Sequence, residues 1–244
     1  RDRQLVLQAS HPAHVLFAGH GVNLTGIPTS LQGVVCIPNL DPRYDGFYSA
    51  ERSEGNWSGI ASVTGKILEN LNAYASYRRG YKGGGFQLDR SGMDPLSPSL
   101  SQLQFRAETA DSYEAGVKGG TDDGMFRANA AFFYTSFHDY QFSYFTGLNR
   151  RTQNVPDLTT KGFEIETWFR PLEALEFSAA ATYQETIFGR SGFPAGLTQL
   201  QGTTGPIAPR WIVVGTAQYT TSVPGSGLNA SAYFDMRWQS RSYV

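Results

Sequence analysis

Eight segments of this chain alternate apolar and polar side chains, and the connections between them alternate in length. The segments run at about 57–67, 71–81, 108–119, 124–145, 157–170, 174–186, 208–220 and 227–240. A period of two sends successive side chains to opposite faces of an extended chain, so each segment reads as a β-strand. The connections at 68–70, 120–123, 171–173 and 221–226 are short, whereas 82–107, the excursion around Gly147–Pro156, and 187–207 are long. An antiparallel, up-and-down sheet follows, with tight turns at one end and long loops at the other. A soluble meander has no reason to sort its loops by end, but a barrel crossing a membrane does.

The faces carry the same message. In 227–239, Leu228, Ala230, Ala232, Phe234, Met236 and Trp238 alternate with Asn229, Ser231, Tyr233, Asp235, Arg237 and Gln239. Aromatic residues sit near strand ends at Trp57, Tyr81, Trp168, Trp211 and Trp238, where headgroup girdles of a membrane barrel place them. The segments are about as long as the ~9–11 residues that a tilted strand needs to cross hydrocarbon. No run approaches the ~18–20 apolar residues of a membrane helix. The formal net charge of −1 gives no field that would draw nucleic acid, and the lone Cys36 excludes an internal disulfide. Residues 1–56 show no sustained period and carry Pro12, Pro28, Pro38 and Pro42. They read as a long extracellular loop region with a short strand near Val15–Phe17 or Val34–Ile37, and 57–244 as the barrel strands, turns periplasmic and loops extracellular. The start at Arg1 and the stop directly after a strand-like run read as a chain cut at both ends.

Four stretches resemble the barrel of TonB-dependent outer-membrane receptors. They are Tyr74–Phe86, a strand entering a Gly-rich loop; Glu108–Gly119, the strand returning from it; Thr160–Glu166 leading to Arg170-Pro171 at a turn; and Ala208–Trp211, which opens another strand. The resemblance implies about eight strands of a barrel of twenty-two, with a plug in its lumen that this chain does not contain. It also implies active uptake of a ferric siderophore or similar scarce nutrient across the outer membrane of a Gram-negative bacterium. The partners it implies are outer-membrane lipid and lipopolysaccharide, the small-molecule ligand, and the TonB energy-coupling complex acting through that plug. The rival readings are a self-contained small barrel or passive channel, since eight strands can close on themselves, and a barrel lipid hydrolase.

A hydrolase requires a serine beside His138, for which only Ser136 and Ser143 are placed. No catalytic constellation, cofactor motif or nucleotide loop appears: the glycines of Lys82-Gly-Gly-Gly85 follow the lysine and no Ser or Thr supports a magnesium ion. His11, His14 and His20 match no strand face or helical pair and read as solvated loop residues rather than metal ligands. Glu164 and Glu166, two apart on one strand, read as lumen wall together with Glu114, Lys118 and Arg170, not as an opposed carboxylate pair. Gly80 and Gly83–Gly85 are expected to use φ > 0 where the chain bends at the rim. The candidate ligand-binding patch is extracellular: Tyr81 and Lys82 in one loop, Tyr140 and Tyr144 leading to Arg150 and Arg151 in the next. Aromatic and cationic groups together suit an anionic or aromatic iron chelate.

Overall fold

The computed structural model describes residues 3–8, 47–87, 99–145, 150–206 and 208–242. Eight strands form one antiparallel sheet: β3 (Gly59–Leu68), β4 (Leu71–Lys82), β7 (Glu108–Gly120), β8 (Phe126–Phe145), β9 (Arg150–Leu172), β10 (Leu175–Phe188), β11 (Trp211–Val223) and β12 (Leu228–Gln239). Their order is β12-β11-β10-β9-β8-β7-β4-β3, so every strand lies beside its neighbours in sequence apart from one skip between β4 and β7. Within that skip, β5 (Gly85–Phe86) pairs with β6 (Gln104–Phe105). All eight segments with period two are strands.

Two features depart from the sequence reading. Residues 3–8 and 47–52, expected to be loop, are strands β1 (Arg3–Gln8) and β2 (Phe47–Arg52), paired antiparallel from Arg3↔Arg52 to Gln8↔Phe47. Two short strands with no continuing period give no signal that separates them from loop. The strands expected near Val15–Phe17 and Val34–Ile37 lie outside the described residues. Strand β9 also starts at Arg150 and runs through Pro156, where a loop was expected. β10 pairs with β9 only as far out as Leu158, and Pro156 lies beyond that ladder.

The chain divides into two compact units. One comprises Arg1–Asn56, Tyr81–Glu108 and Asp139–Val155; the other comprises Trp57–Gly80, Thr109–His138 and Pro156–Val244. In the second unit the register sorts side chains cleanly, because residues opposite one another in a ladder share a face. On the polar face Tyr74 stands opposite Thr64, Glu114 opposite Phe133, Glu166 opposite Ala180 and Thr216 opposite Asp235. The charges there find partners. Tyr74 donates to Glu114 at 2.6 Å, Arg78 reaches the same carboxylate at 3.4 Å, and Asn129 donates to Glu166 at 3.1 Å. Trp168 lies on this polar face, opposite Ser178 and under the Arg127 guanidinium at 5.6 Å, rather than in an outer girdle.

The other face pairs Val63 with Ala75, Ala115 with Phe132, Ala181 with Val213, and Ala217 with Phe234. Its side chains are not buried: Val63 is 68% exposed, Phe132 70% and Phe234 62%. Each such side chain left in water forgoes about 1.5–3 kcal/mol of burial. At the long-connection end of this face the rings of Tyr77 and Tyr113 lie 5.2 Å apart, and those of Tyr183 and Trp211 4.9 Å apart. Beyond them come ion pairs, Arg79 with Asp111 at 2.7 Å and Lys161 with Glu185 at 3.7 Å. Among the described residues the buried apolar side chains lie elsewhere, at Leu103 and Val155 in one unit and Leu158, Phe188, Phe193 and Leu197 in the other.

Candidate functional site

All six residues singled out from sequence, Tyr81, Lys82, Tyr140, Tyr144, Arg150 and Arg151, fall in the unit that contains Tyr81–Glu108 and Asp139–Val155. Its architecture begins with the glycines after β4. Gly85 opens the two-residue β5, and the Gln87 amide donates to the Leu103 carbonyl at 2.7 Å, closing the pair with β6. A single 3-10 turn at Leu100–Leu103 precedes β6, begun by a capping box in which Ser99 and Gln102 satisfy each other's free amides.

Beside these glycines is a cleft of about 500 Å³ lined by Arg52, Glu54, Tyr81, Gly83, Gly84, Gly85 and Phe86. Glu54 ties it together. Its Oε1 accepts the Gly84 amide at 2.8 Å and its Oε2 accepts Arg52 Nε at 2.9 Å. A Cβ on Gly84 would stand 2.6 Å from the Phe105 carbonyl and 2.8 Å from Arg52 Nε, and one on Gly85 2.8 Å from the Phe105 ring. Glycine is therefore required here for close approach. The expectation of φ > 0 at Gly80 and Gly83–Gly85 is wrong, since none of them is among the left-handed glycines.

A buried amide holds the carbonyls behind the cleft. Gln141, 6% exposed, donates from Nε2 to Gly83 O at 2.9 Å and Arg106 O at 3.0 Å, with Lys82 O at 3.4 Å. Its backbone N–H donates to Glu108 at 2.8 Å. Asn154 works alongside: its Oδ1 accepts the Arg106 amide at 2.6 Å while Nδ2 donates to Asp139 O at 2.6 Å. Asp139 is the one non-glycine with positive φ among the described residues, at 52°, a conformation Asp tolerates better than most side chains. Its carboxylate takes a hydrogen bond from the Arg106 guanidinium and raises the pKa of that group.

The structure distributes the six residues unevenly. The Tyr81 ring lines the cleft, and Lys82 joins its frame through the backbone carbonyl. Tyr140 flanks Gln141 in β8. Tyr144 donates to Gln153 at 2.7 Å and stacks on Phe142 at 5.9 Å, and with exposed Arg150 and half-exposed Arg151 it belongs to the β8–β9 hairpin, not to the cleft lining. Sequence reasoning missed Arg52, Glu54, Gln141 and Asn154. A charged Glu51-Arg52-Ser53-Glu54 run ahead of Trp57, and one amide set between Tyr140 and Phe142, were the available signals.

The other chemistries are placed as follows. His138 bonds to Asp157 at 3.0 Å, while the Ser143 hydroxyl bonds to Thr152 at 2.8 Å. Among the described residues no three His, Cys, Asp or Glu side chains could hold a metal ion, and His11, His14 and His20 lie outside them. No helix of the described residues is long and apolar enough to cross a membrane, which does not bear on crossing by strands.

A family model described as TonB dependent receptor-like, beta-barrel, matches residues 38–244. Among solved structures, the chain is similar to the ferric yersiniabactin uptake receptor FyuA from Yersinia pestis, at 18% identity and TM-score 0.57, covering 78% of this chain and 26% of that one. It is similar to the siderophore receptor PiuA from Acinetobacter baumannii, at 21% identity and TM-score 0.54, covering 74% and 26%. It is also similar to the copper transporter OprC, at 14% identity and TM-score 0.52, covering 74% and 26%. At these identities the likeness concerns the fold. The chain spans about a quarter of the length of these structures.

Proposed function

Because the chain belongs to the TonB-dependent receptor β-barrel family, a family of transport receptors, we propose that it forms part of the wall and outer loops of a receptor importing a ferric siderophore or comparably scarce nutrient. The observation that carries this reading is the exposed apolar face of the eight-stranded sheet. Val63, Phe132 and Phe234 are exposed, with no described residue covering them, an arrangement that is stable only where the solvent is itself apolar. On β11 the nine residues from Trp211 to Tyr219 carry an aromatic at each end, a span that suits a tilted strand crossing hydrocarbon.

The setting is the outer membrane of a Gram-negative bacterium. Short turns such as 69–70 and 224–227 face the periplasm, and the long connections face outward. Residues 1–56, including the β1–β2 pair, belong to the extracellular part, and 57–244 supplies barrel strands and loops. The ion pairs beyond the aromatic rows, Arg79–Asp111 and Lys161–Glu185, lie at the lipopolysaccharide headgroups. In this reading, which rests on the family, the work is supplied through the TonB energy-coupling complex acting on a plug in the complete receptor.

The test is uptake of radiolabelled ferric chelates by iron-limited cells expressing the complete receptor, with and without a protonophore. Uptake that collapses when the cells are de-energised is expected. Uptake indifferent to the protonophore indicates a passive channel and overturns the proposal, as does receptor that fractionates away from the outer membrane.

A further inference from the structure

On the polar face beside the β7–β8 turn stand cations that the described residues leave unanswered. Lys118 lies opposite Asn129 and Arg127 opposite Gly120, so the two are diagonal neighbours across β7 and β8. Lys118 Nζ is 5.1 Å from the centroid of the Tyr74 ring, and the Arg127 guanidinium 5.6 Å from that of Trp168. A ring face attracts a cation without neutralising it. Among the described residues neither cation is paired with a carboxylate. The acids at this end are engaged elsewhere: Glu114 by Tyr74 and Arg78, Glu166 by Asn129, Asp122 by Asn70, and Asp123 by Thr121 and the Met125 amide. Lys118 and Arg127 line a cleft of about 430 Å³ together with Asn72, Gly120, Asn129 and Trp168, and no carboxylate lines it.

The cleft specifies its complement. Two cations without a counter-charge require two anionic groups. Asn72, whose side-chain amide bonds to no described residue, offers a donor and an acceptor at once, and a peptide group presents the same pair in return. A small anion would answer the charges and leave that amide unmatched. Spacing narrows the choice further. Diagonal neighbours in an antiparallel pair stand about 7–8 Å apart, and an extended segment sets alternate side chains on one side about 6.5 Å apart. An acid-x-acid sequence in extended form therefore meets both cations. Lys66, opposite Asn72, adds a third positive charge on the same face. The chain spans about a quarter of the length of the receptor structures above, which leaves most of such a polypeptide to supply the segment.

We propose that the Lys118–Arg127 cleft seats an extended acidic segment of acid-x-acid sequence, supplied by the part of the complete receptor outside residues 57–244. The inference rests on the outer-membrane reading above and adds a charged contact at the periplasmic end of the lumen wall. The experiment treats the purified complete receptor with a water-soluble carbodiimide, which joins a lysine amine to a carboxylate where the two are in contact. Mass spectrometry then maps the links. Lys118 should be joined to an Asp or Glu outside 57–244. Arg127→Lys, which keeps the charge, should add a second link two residues from the first. Arg127→Glu, which sets a like charge before the segment, should lower the Lys118 link severalfold in protein that still migrates as a folded barrel on unheated gels. Lys118 left unlinked, linked only to carboxylates of 57–244, or linked to another protein overturns the assignment, as does a second link at any other spacing. Protonophore-sensitive uptake without the link leaves the uptake reading standing while this one falls. The link in a receptor whose uptake ignores the protonophore does the reverse.

Discussion

Two long connections of this chain are stiffened by opposite means. The described ends of the first, 82–87 and 99–107, are pinned from behind by polar groups: Gln141 bonds the carbonyls of Gly83 and Arg106, and Glu54 bonds the Gly84 amide. The stretch at 187–206 is built on its own apolar core. Phe188 is 1% exposed and Leu197 3%, and the rings of Phe188 and Phe193 meet edge to face at 6.1 Å. Backbone bonds close it, with Phe188 N–H donating to Thr203 O at 2.9 Å and Gly205 N–H to Thr186 O at 2.8 Å. Gly192, Gly196 and Gly202 supply its left-handed turns. The lesson concerns what each leaves at its surface. An apolar core consumes the side chains that make it, so 187–207 is a scaffold. A frame held by polar hydrogen bonds leaves Tyr81 and Phe86 at the cleft surface.

The comparison breaks most forcefully at Phe188. Phe188→Ala empties a closed site and should destabilise the 187–207 connection by about 3–5 kcal/mol. Amide hydrogen exchange at Gly202 and Gly205 should accelerate to match, while exchange at Gly84 and Gln87 stays as it was. Acceleration spread evenly over both connections would mean that they share one core, and the contrast drawn above would fail.

Gln141→Leu tests the other half. The side chain keeps its bulk, but the carbonyls of Gly83 and Arg106 lose their donor in a buried place, at a cost of about 1–3 kcal/mol. Exchange at Gly84 and Gln87 should rise and that at Gly205 should not. Gln141→Glu, which keeps the length but removes the Nε2 donors, should not restore the slow exchange. Unchanged exchange at Gly84 would show that Glu54 alone fixes the wall.

How much of this was legible in the sequence follows the same division. Every long strand was, because a period of two over ten or more residues is a physical requirement of a sheet with two unlike solvents. Glu114, Lys118, Glu164 and Glu166 could be placed on the polar face by counting alone, and the ladder agrees. Trp168, two residues past Glu166, shares their face by the same count, so the girdle expectation set a ring's usual preference above the period that decides the face. Strands β5 and β6, two residues each, have no period to read. The site fared worse for a different reason: Arg52, Glu54 and Gln141 come from three distant stretches, and only the folded backbone brings their hydrogen bonds together. The aromatic and cationic character of the patch was visible in Tyr81 and Lys82. The Arg52–Glu54 pair beside it was not.

A third kind of connection, the short turn between β7 and β8, offers the smallest and most selective test. Here one exposed carboxylate does the closing: Asp123 Oδ1 accepts from Thr121 Oγ1 at 2.5 Å and from the Met125 amide at 3.0 Å, while Gly124 takes φ 69°. The Thr121 hydrogen bond, followed by that from the Met125 amide, lowers the carboxyl pKa below its usual 3.8. A lowered value means that the folded turn prefers the ionised form, so its contribution is present above pH 3.8 and is lost as pH falls through the lower folded value. The Met125 amide should therefore shift and exchange faster only under strongly acid conditions, with a midpoint under 3.8, while Gly202, held by rings that do not titrate, should show no such step. A Met125 midpoint at or above 3.8 would mean that the two donors do not favour the carboxylate, and that the turn is held by Gly124 and its backbone bonds instead.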